Sequence, residues 1–344
     1  MIRAAIIGLG WWGRTLVESV HGSSDAIRFT AGATRTVTAE TEAFASGNGL
    51  RLAEGIDALL ADPELDAIVL ATPHSLHSSQ VIAAARAGKH VFCEKPFALT
   101  ATDAEAAVDA VRRAGVTLGL GYNRRLHPEM TKLRDRIRTG GLGTILHVEA
   151  TMTFANALLL RPEQWRAQRD ETPCGGLTPM GVHAIDGMID LCGPIERVYC
   201  QSFRRVVEID ADDTTSILFR MRDGMSGYLG TITATGPGFS FQVFGSGGWV
   251  RLEGMTHVAG ASSEERRTRL FGACKFQPAQ GEAEVWQAEA YDVTRAALEA
   301  FAHAAEGGPP FPITLDEMVH GAAVTEAVVR SAASGDVEQV VQGE

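Results

Sequence analysis

The chain has 344 residues, with 31 Lys and Arg against 42 Asp and Glu and a formal net charge of −11. Hydrophobic residues make up 45% and charged residues 21%, ordinary soluble usage that calls for neither a disordered nor a fibrous reading. The acidic balance argues against a nucleic-acid partner, whose phosphates need clustered Lys and Arg.

A single hydrophobic core stops growing at about 250–300 residues, so two domains are expected. From Ile2 to about Tyr122, short apolar runs such as "RAAII", "DAIVLAT" and "KHVFCE" alternate with amphipathic stretches such as "SLHSSQVIAAARAG" and "ATDAEAAVDAVRRAG". Continuous apolar strands separated by helices imply a doubly wound parallel sheet covered on both faces, an α/β domain over 1–122. After "GYNRRLHP" a helical stretch, "PEMTKLRDRIRTG", leads into consecutive strand-like runs: "TILHVEATMTF", "ERVYCQSF", "TTSILFRM", "SGYLGTITA", "FSFQVFG" and "GWVRLEG". Strands separated by Gly, Asp and Ser turns predict a second, α+β domain over 123–344 with a mostly antiparallel sheet. Helical segments are expected near Val285 to Ala305 and Thr314 to Ser334.

No segment approaches the roughly 18 apolar residues of a membrane span, and Met1 leads directly into an apolar strand without a cleavable leader, so no membrane partner and a cytoplasmic location are expected. The five cysteines, Cys93, Cys174, Cys192, Cys200 and Cys274, form no CxxC pair and fit reduced packing thiols.

The first strand runs into "GLGWWG", where Gly8, Gly10 and Gly13 match GxGxxG between a strand and a helix. Gly8 permits the tight turn, Gly10 lets the backbone approach a pyrophosphate, and Gly13 lets the helix pack on the sheet. The helix N-terminus then offers free N–H groups to phosphates. Trp11 and Trp12 inside this loop either wall the cofactor or pack on a neighbouring loop. An NAD site places an acid about 20 residues further on, for the ribose hydroxyls. Here "FTAGATRT" ends in Thr34, Arg35 and Thr36, and a cation with two hydroxyls suits a 2′-phosphate, so NADP is preferred and NAD is the alternative.

At "VFCEKP" another strand ends on Glu94 and Lys95 before Pro96. Ligands bind at the carboxyl ends of strands in open α/β sheets, which puts Lys95 beside the nicotinamide. Hydride transfer from a carbinol carbon needs a partner for the hydroxyl proton, a task open to lysine. Pro96 fixes the local backbone and admits a cis bond. The competing reading is a surface salt-bridged loop. His74 and His77 lack a third ligand, so no metal is expected. "PEQWRAQ", with Trp165 and Arg166, reads either as a surface for stacking a sugar face or as a packing turn. Arg124, Arg125 and His127 read either as a seat for an anionic substrate group or as solvated residues beginning a helix.

Taken together, "GLGWWG", "ATPHSLH", "CEKP", "GYNRRLHP", "GGLTPMGVHAID" and "FPITLDEMVHGAAVTEAV" resemble the Gfo/Idh/MocA oxidoreductase family, in order and over almost the whole chain. The resemblance implies a Rossmann domain joined to an α/β domain whose large open sheet forms a homodimer or homotetramer interface. It also implies NAD(P)-linked oxidation or reduction of a sugar, cyclitol or related cyclic diol. Lys95 matches the family's active-site lysine, His183 its acid/base histidine and Asp186 the acid one turn later. Thr72, Pro73 and His77 match the loop under the nicotinamide, and Glu94 the position beside its ribose. Asn123 and Arg124 fall where the strand leaving the Rossmann domain meets the substrate cleft; Trp165 is a candidate substrate contact from its own texture in "PEQWRAQ". The sequence departs from the family at Pro179, where an Asp often stands four residues before the histidine. This loss moves proton handling toward Lys95, with Asp186 as a substitute partner. Alternatives are a redox-neutral glycoside-cleaving enzyme that retains its cofactor, and a non-catalytic dinucleotide-binding regulator.

Overall fold

The structure is a computed structural model and describes residues 1–255 and 262–341. The backbone forms two compact units: Met1–Asn123 with Asp292–Val319, and Arg124–Tyr291 with the segment from His320.

In the first unit strands and helices alternate: β1 (Ile2–Ile7), α1 (Trp11–Val20), β2 (Ile27–Ala33), α2 (Ala39–Gly47), β3 (Arg51–Leu52), α3 (Ile56–Leu60), β4 (Ala67–Leu70), α4 (His77–Arg86), β5 (His90–Cys93), α5 (Ala101–Ala114) and β6 (Leu118–Leu120). The six strands are parallel in the order β3-β2-β1-β4-β5-β6. All four residues of β4 are buried, because helices cover both faces of the sheet and no side chain of a central strand reaches water. Chain order reverses between β1 and β4, and in open α/β sheets ligands bind at such a switch point, at the carboxyl ends of the strands. Thr38 and Thr100 start α2 and α5 by accepting the N–H groups of Thr41 and Asp103, the hydroxyl caps that fix where a helix begins.

The second unit carries α6 (Pro128–Arg138), β7 (Ile145–Thr153), α7 (Val182–Cys192), β8 (Ile195–Phe203), β9 (Thr214–Met221), β10 (Ser226–Ile232), β11 (Gly238–Gly245), β12 (Gly248–Gly254), α8 (Ser263–Thr268), β13 (Ala273–Pro278) and β14 (Glu284–Gln287). Next come α9 (Val293–Ala305), which belongs to the first unit, then α10 (Leu315–Ser334), and β15 (Glu338–Gln339). The nine-stranded sheet runs β14-β13-β12-β11-β7-β10-β9-β8-β15. It is antiparallel except where β7 meets β10. Along β7, Val148, Ala150 and Met152 are buried and alternate with partly exposed Glu149 and Thr151, the pattern of a sheet packed on one face. α10 is tied to β8, where Cys200 N–H donates to Ser331 Oγ at 2.9 Å and Ile195 N–H to His320 Nε2 at 3.0 Å.

The helix expected from Val285 starts later. Val285 lies in β14, paired with Lys275 of β13, and α9 begins only after Asp292, whose carboxylate accepts the N–H groups of Thr294 and Arg295. Edge pairing with β13 captures "EVWQ" as a strand, a tertiary effect that overrides local propensity. In α9 the Phe301 ring meets Phe92 of β5 edge-on, with centroids 5.7 Å apart. Among the described residues no helix is long and apolar enough to cross a membrane.

Candidate active site

The glycine turn is enforced by space. Gly8 has φ +98°, and a Cβ there would come 2.3 Å from the Ala71 carbonyl oxygen, while one on Gly13 would come 1.9 Å from the Gly8 oxygen. Neither position admits a side chain. At Gly10 the opposite holds, since a Cβ would meet nothing within 4 Å. Gly10 caps α1 without a side-chain hydrogen bond, which leaves the first turn without a side-chain acceptor at the cap. This cradle fits the pyrophosphate of a dinucleotide, with Gly8, Gly10 and Gly13 shaping the turn and the α1 N-terminus supplying donors. Trp11 is 49% exposed and its ring centroid lies 5.3 Å from that of Trp12. The buried Trp12 indole N–H meets no acceptor among the described residues.

Past the end of β2, Thr34 is half-buried and Arg35 and Thr36 are exposed. Among the described residues no acid pairs with Arg35. The acid nearest along the helix that follows, Glu40, is bonded by Arg14, whose Nε also donates to the Leu9 carbonyl at 3.1 Å and whose guanidinium sits 5.5 Å from the Phe44 ring centroid. Arg14 escaped the sequence reading, although it directly follows the last glycine of the motif.

The loops after β4 and β5 are tied together by His77. Its ring is fully buried, with Nδ1 2.7 Å from the Pro96 carbonyl and Nε2 3.0 Å from the Thr72 carbonyl. Carbonyl oxygens only accept, so a ring carrying hydrogen on both nitrogens satisfies both contacts. Thr72 Oγ1 also donates to Gln80 at 2.6 Å, fixing the loop that holds Pro73. The Lys95–Pro96 bond is cis. Glu94 is buried, its carboxylate takes the Lys95 N–H at 3.3 Å, and a Cβ on Gly121 would lie 2.6 Å from its Oε2. The acid therefore lies flat against the end of β6. Lys95 is half-buried at the same edge as Gly8. The two strands concerned, β5 and β1, are separated only by β4, which sets them about 10 Å apart across the sheet. Asn123 is buried and donates to Thr294 Oγ1 of α9 at 3.3 Å.

In the second unit a π-helical turn, Leu177–Gly181, carries Pro179 and feeds α7. His183 sits buried in the first turn of α7. Asp186, one turn on, receives Arg125 in a two-pronged ion pair, Nη2 to Oδ1 at 2.6 Å and Nε to Oδ2 at 3.2 Å. Arg125 also lies 3.6 Å from Asp190, which Arg134 holds at 3.1 Å. The acids are four residues apart and so share a face of α7. That spacing was the available signal for a network the sequence reading missed. Trp165 lies in a short 3₁₀ turn with the Arg166 guanidinium 4.0 Å from its ring centroid. Its neighbour Ala167 is buried in a small cluster with Ala157, Val207, Ile209 and Ala211.

Residues 2–122 match the model of an oxidoreductase family with an NAD-binding Rossmann fold, and residues 130–251 match that of the GFO/IDH/MocA C-terminal domain. The rhizopine catabolism protein MocA of Rhizobium meliloti is 30% identical over 340 residues, spanning 94% of this chain and 93% of that protein. The chain belongs to the Gfo/Idh/MocA oxidoreductase family. A second relative, the 1,5-anhydro-D-fructose reductase of Ensifer adhaerens, is 29% identical over 308 residues, 88% of each chain. The solved structure of levoglucosan dehydrogenase in complex with NADH and L-sorbose superposes with a TM-score of 0.84 at 22% identity over 99% of each chain. As a Gfo/Idh/MocA member with an intact dinucleotide cradle, the chain is an NAD(P)-dependent oxidoreductase acting on CH–OH groups.

Proposed function

We propose that this enzyme moves hydride between NADP(H) and a carbinol or carbonyl carbon of a sugar, cyclitol or related cyclic diol. The observation that supports this reading is the shared sheet edge: the glycine turn follows β1 and Lys95 follows β5, both at the carboxyl ends of the strands that flank β4. A bound nicotinamide supplies the hydride acceptor or donor. When a C–H bond gives up its electron pair, the attached hydroxyl must lose its proton, and Lys95 and His183 are the groups assigned to orient that oxygen and take the proton. Asn123, Arg124 and Trp165 help place the substrate, and the 1,5-anhydro-D-fructose reductase relative supports a sugar-like one. A panel of sugars and cyclitols with NADP tests the assignment by nicotinamide absorbance. A sugar consumed without net NADPH formation would replace it with redox-neutral cleavage.

Preference for NADP rests on the β2 end. Thr34, Arg35 and Thr36 stand where an NAD site needs a carboxylate, and Glu40 is bonded by Arg14. Titrating cofactor-stripped protein is expected to show tighter binding of NADPH than of NADH. Arg35→Ala is expected to weaken NADPH by about 10-fold or more, the loss of one charge-assisted contact, and to leave NADH unchanged. Equal affinities would remove Arg35 from the site.

The enzyme is further assigned as a cytoplasmic homodimer or homotetramer formed through its C-terminal sheet. On the face opposite the packed one, Tyr199, Leu218 and Tyr228 are cross-strand neighbours, and Leu218 is 55% exposed. An apolar row on a sheet face fits burial against a second copy. Light scattering is expected to report a dimer or tetramer that Leu218→Asp reduces to monomer, and a monomeric parent protein would refute the assembly.

A further inference from the structure

Among the described residues Arg124 is a buried cation without a counter-ion. Only 7% of it is exposed, and its guanidinium lies 4.6 Å from the Phe239 ring centroid. No hydrogen bond or ion pair among the described residues reaches that guanidinium, and its Nη1 is buried without a partner. Burial alone lowers its pKa to about 9. The basic residues around it differ: Arg125 has Asp186 and Asp190, and Arg134 has Asp190.

A second donor without an acceptor lies in the same aromatic cluster. His127 caps α6, and its Nδ1 accepts the Glu129 N–H at 3.2 Å, so the proton of the neutral ring sits on Nε2. Burial keeps the ring neutral by lowering its pKa to about 4. That Nε2 is buried and has no partner among the described residues. The His127 ring packs against Phe271 at 4.7 Å, and Phe271 packs against Phe239 at 5.5 Å. Both donors thus border one pair of phenylalanines. Leaving a buried charge or donor unanswered is costly, and an anion relieves both deficits at once.

We propose that the substrate carries a carboxylate, seated on Arg124 with the His127 Nε2–H as second donor, which makes it a sugar acid rather than a neutral sugar. This rests on the dehydrogenase reading above. A planar guanidinium matches a carboxylate in two-pronged geometry, and the stacked Phe239 holds that plane in place.

The test titrates D-glucuronate, D-galacturonate, D-glucose, D-galactose and D-glucose 6-phosphate into the full-length NADPH-saturated protein by calorimetry, alongside initial rates with NADP. At least one uronate is expected to bind about 10-fold or more tightly than its neutral sugar. Arg124→Met, which removes the buried charge instead of stranding one, is expected to bring the ratio of uronate to neutral-sugar affinity down to about one with NADPH affinity unchanged, and Arg124→Lys to restore part of it. Neutral sugars binding as tightly as uronates, the phosphate ester binding tightest, or NADPH being the ligand that Arg124→Met weakens would each overturn the proposal. Turnover of neutral sugars without uronate binding sinks the carboxylate seat and leaves the dehydrogenase standing. Arg124-dependent uronate binding without NADP-linked turnover of any sugar does the reverse.

Discussion

Lys95→Ala is expected to lower kcat for the NADP-linked reaction by about 10³-fold, within the range of about 10²–10⁴ that a positioned proton-transfer group supplies. The expectation follows from placement. Lys95 lies two residues past β5, with its N–H on the Glu94 carboxylate and the next residue, Pro96, bonded through its carbonyl to His77. The glycine turn lies two strands away, so NADPH affinity is expected to change by less than about 10-fold. Lys95→Arg separates charge from proton exchange. Guanidinium keeps the charge and does not release a proton near neutral pH, so the variant is expected to remain about as slow as Lys95→Ala if exchange is the task. Recovery of most of the rate in Lys95→Arg would make Lys95 an electrostatic anchor, and an unchanged kcat in Lys95→Ala would move proton handling to another group.

Asp186→Ala is expected to destabilise the second unit by about 3–5 kcal/mol, because it strands Arg125 in the interior. The side chains of Arg125 and Asp186 are 3% and 4% exposed. Asp190, at 3.6 Å from Arg125, takes up part of the stranded charge and places the effect toward the lower end. The double variant Arg125→Met with Asp186→Leu removes both charges and is expected to recover much of the loss, since a buried ion pair replaced by apolar groups of similar volume is often neutral or better. Denaturant unfolding of the three proteins checks both statements. An Asp186→Ala protein as stable as its parent would show that Asp190 alone suffices. In the structure the Asp186 carboxylate is a principal partner of Arg125.

Much of this protein is written locally in its chain. Uninterrupted apolar tetrads such as Ala67–Leu70 specify a parallel sheet buried on both faces, and the alternation in Ile145–Thr153 specifies a sheet buried on one. Both follow from a side-chain period of two and need no distant partner. The glycine turn is legible for the same reason, because its meaning lies in a few consecutive residues between a strand and a helix. Charge partners are different. Arg125 and Asp186 stand 61 positions apart, and nothing in "GYNRRLHP" says that the second arginine is neutralised while the first meets no acid among the described residues. The capture of "EVWQ" by β13, the packing of Phe301 on Phe92, and the bridge from His77 to Pro96 likewise depend on which surfaces meet. The sequence determined the elements and the cofactor turn through short-range periodicity and backbone geometry. Only the tertiary structure decided which buried charges are answered, because Coulombic pairing acts through space and carries no signature along the chain.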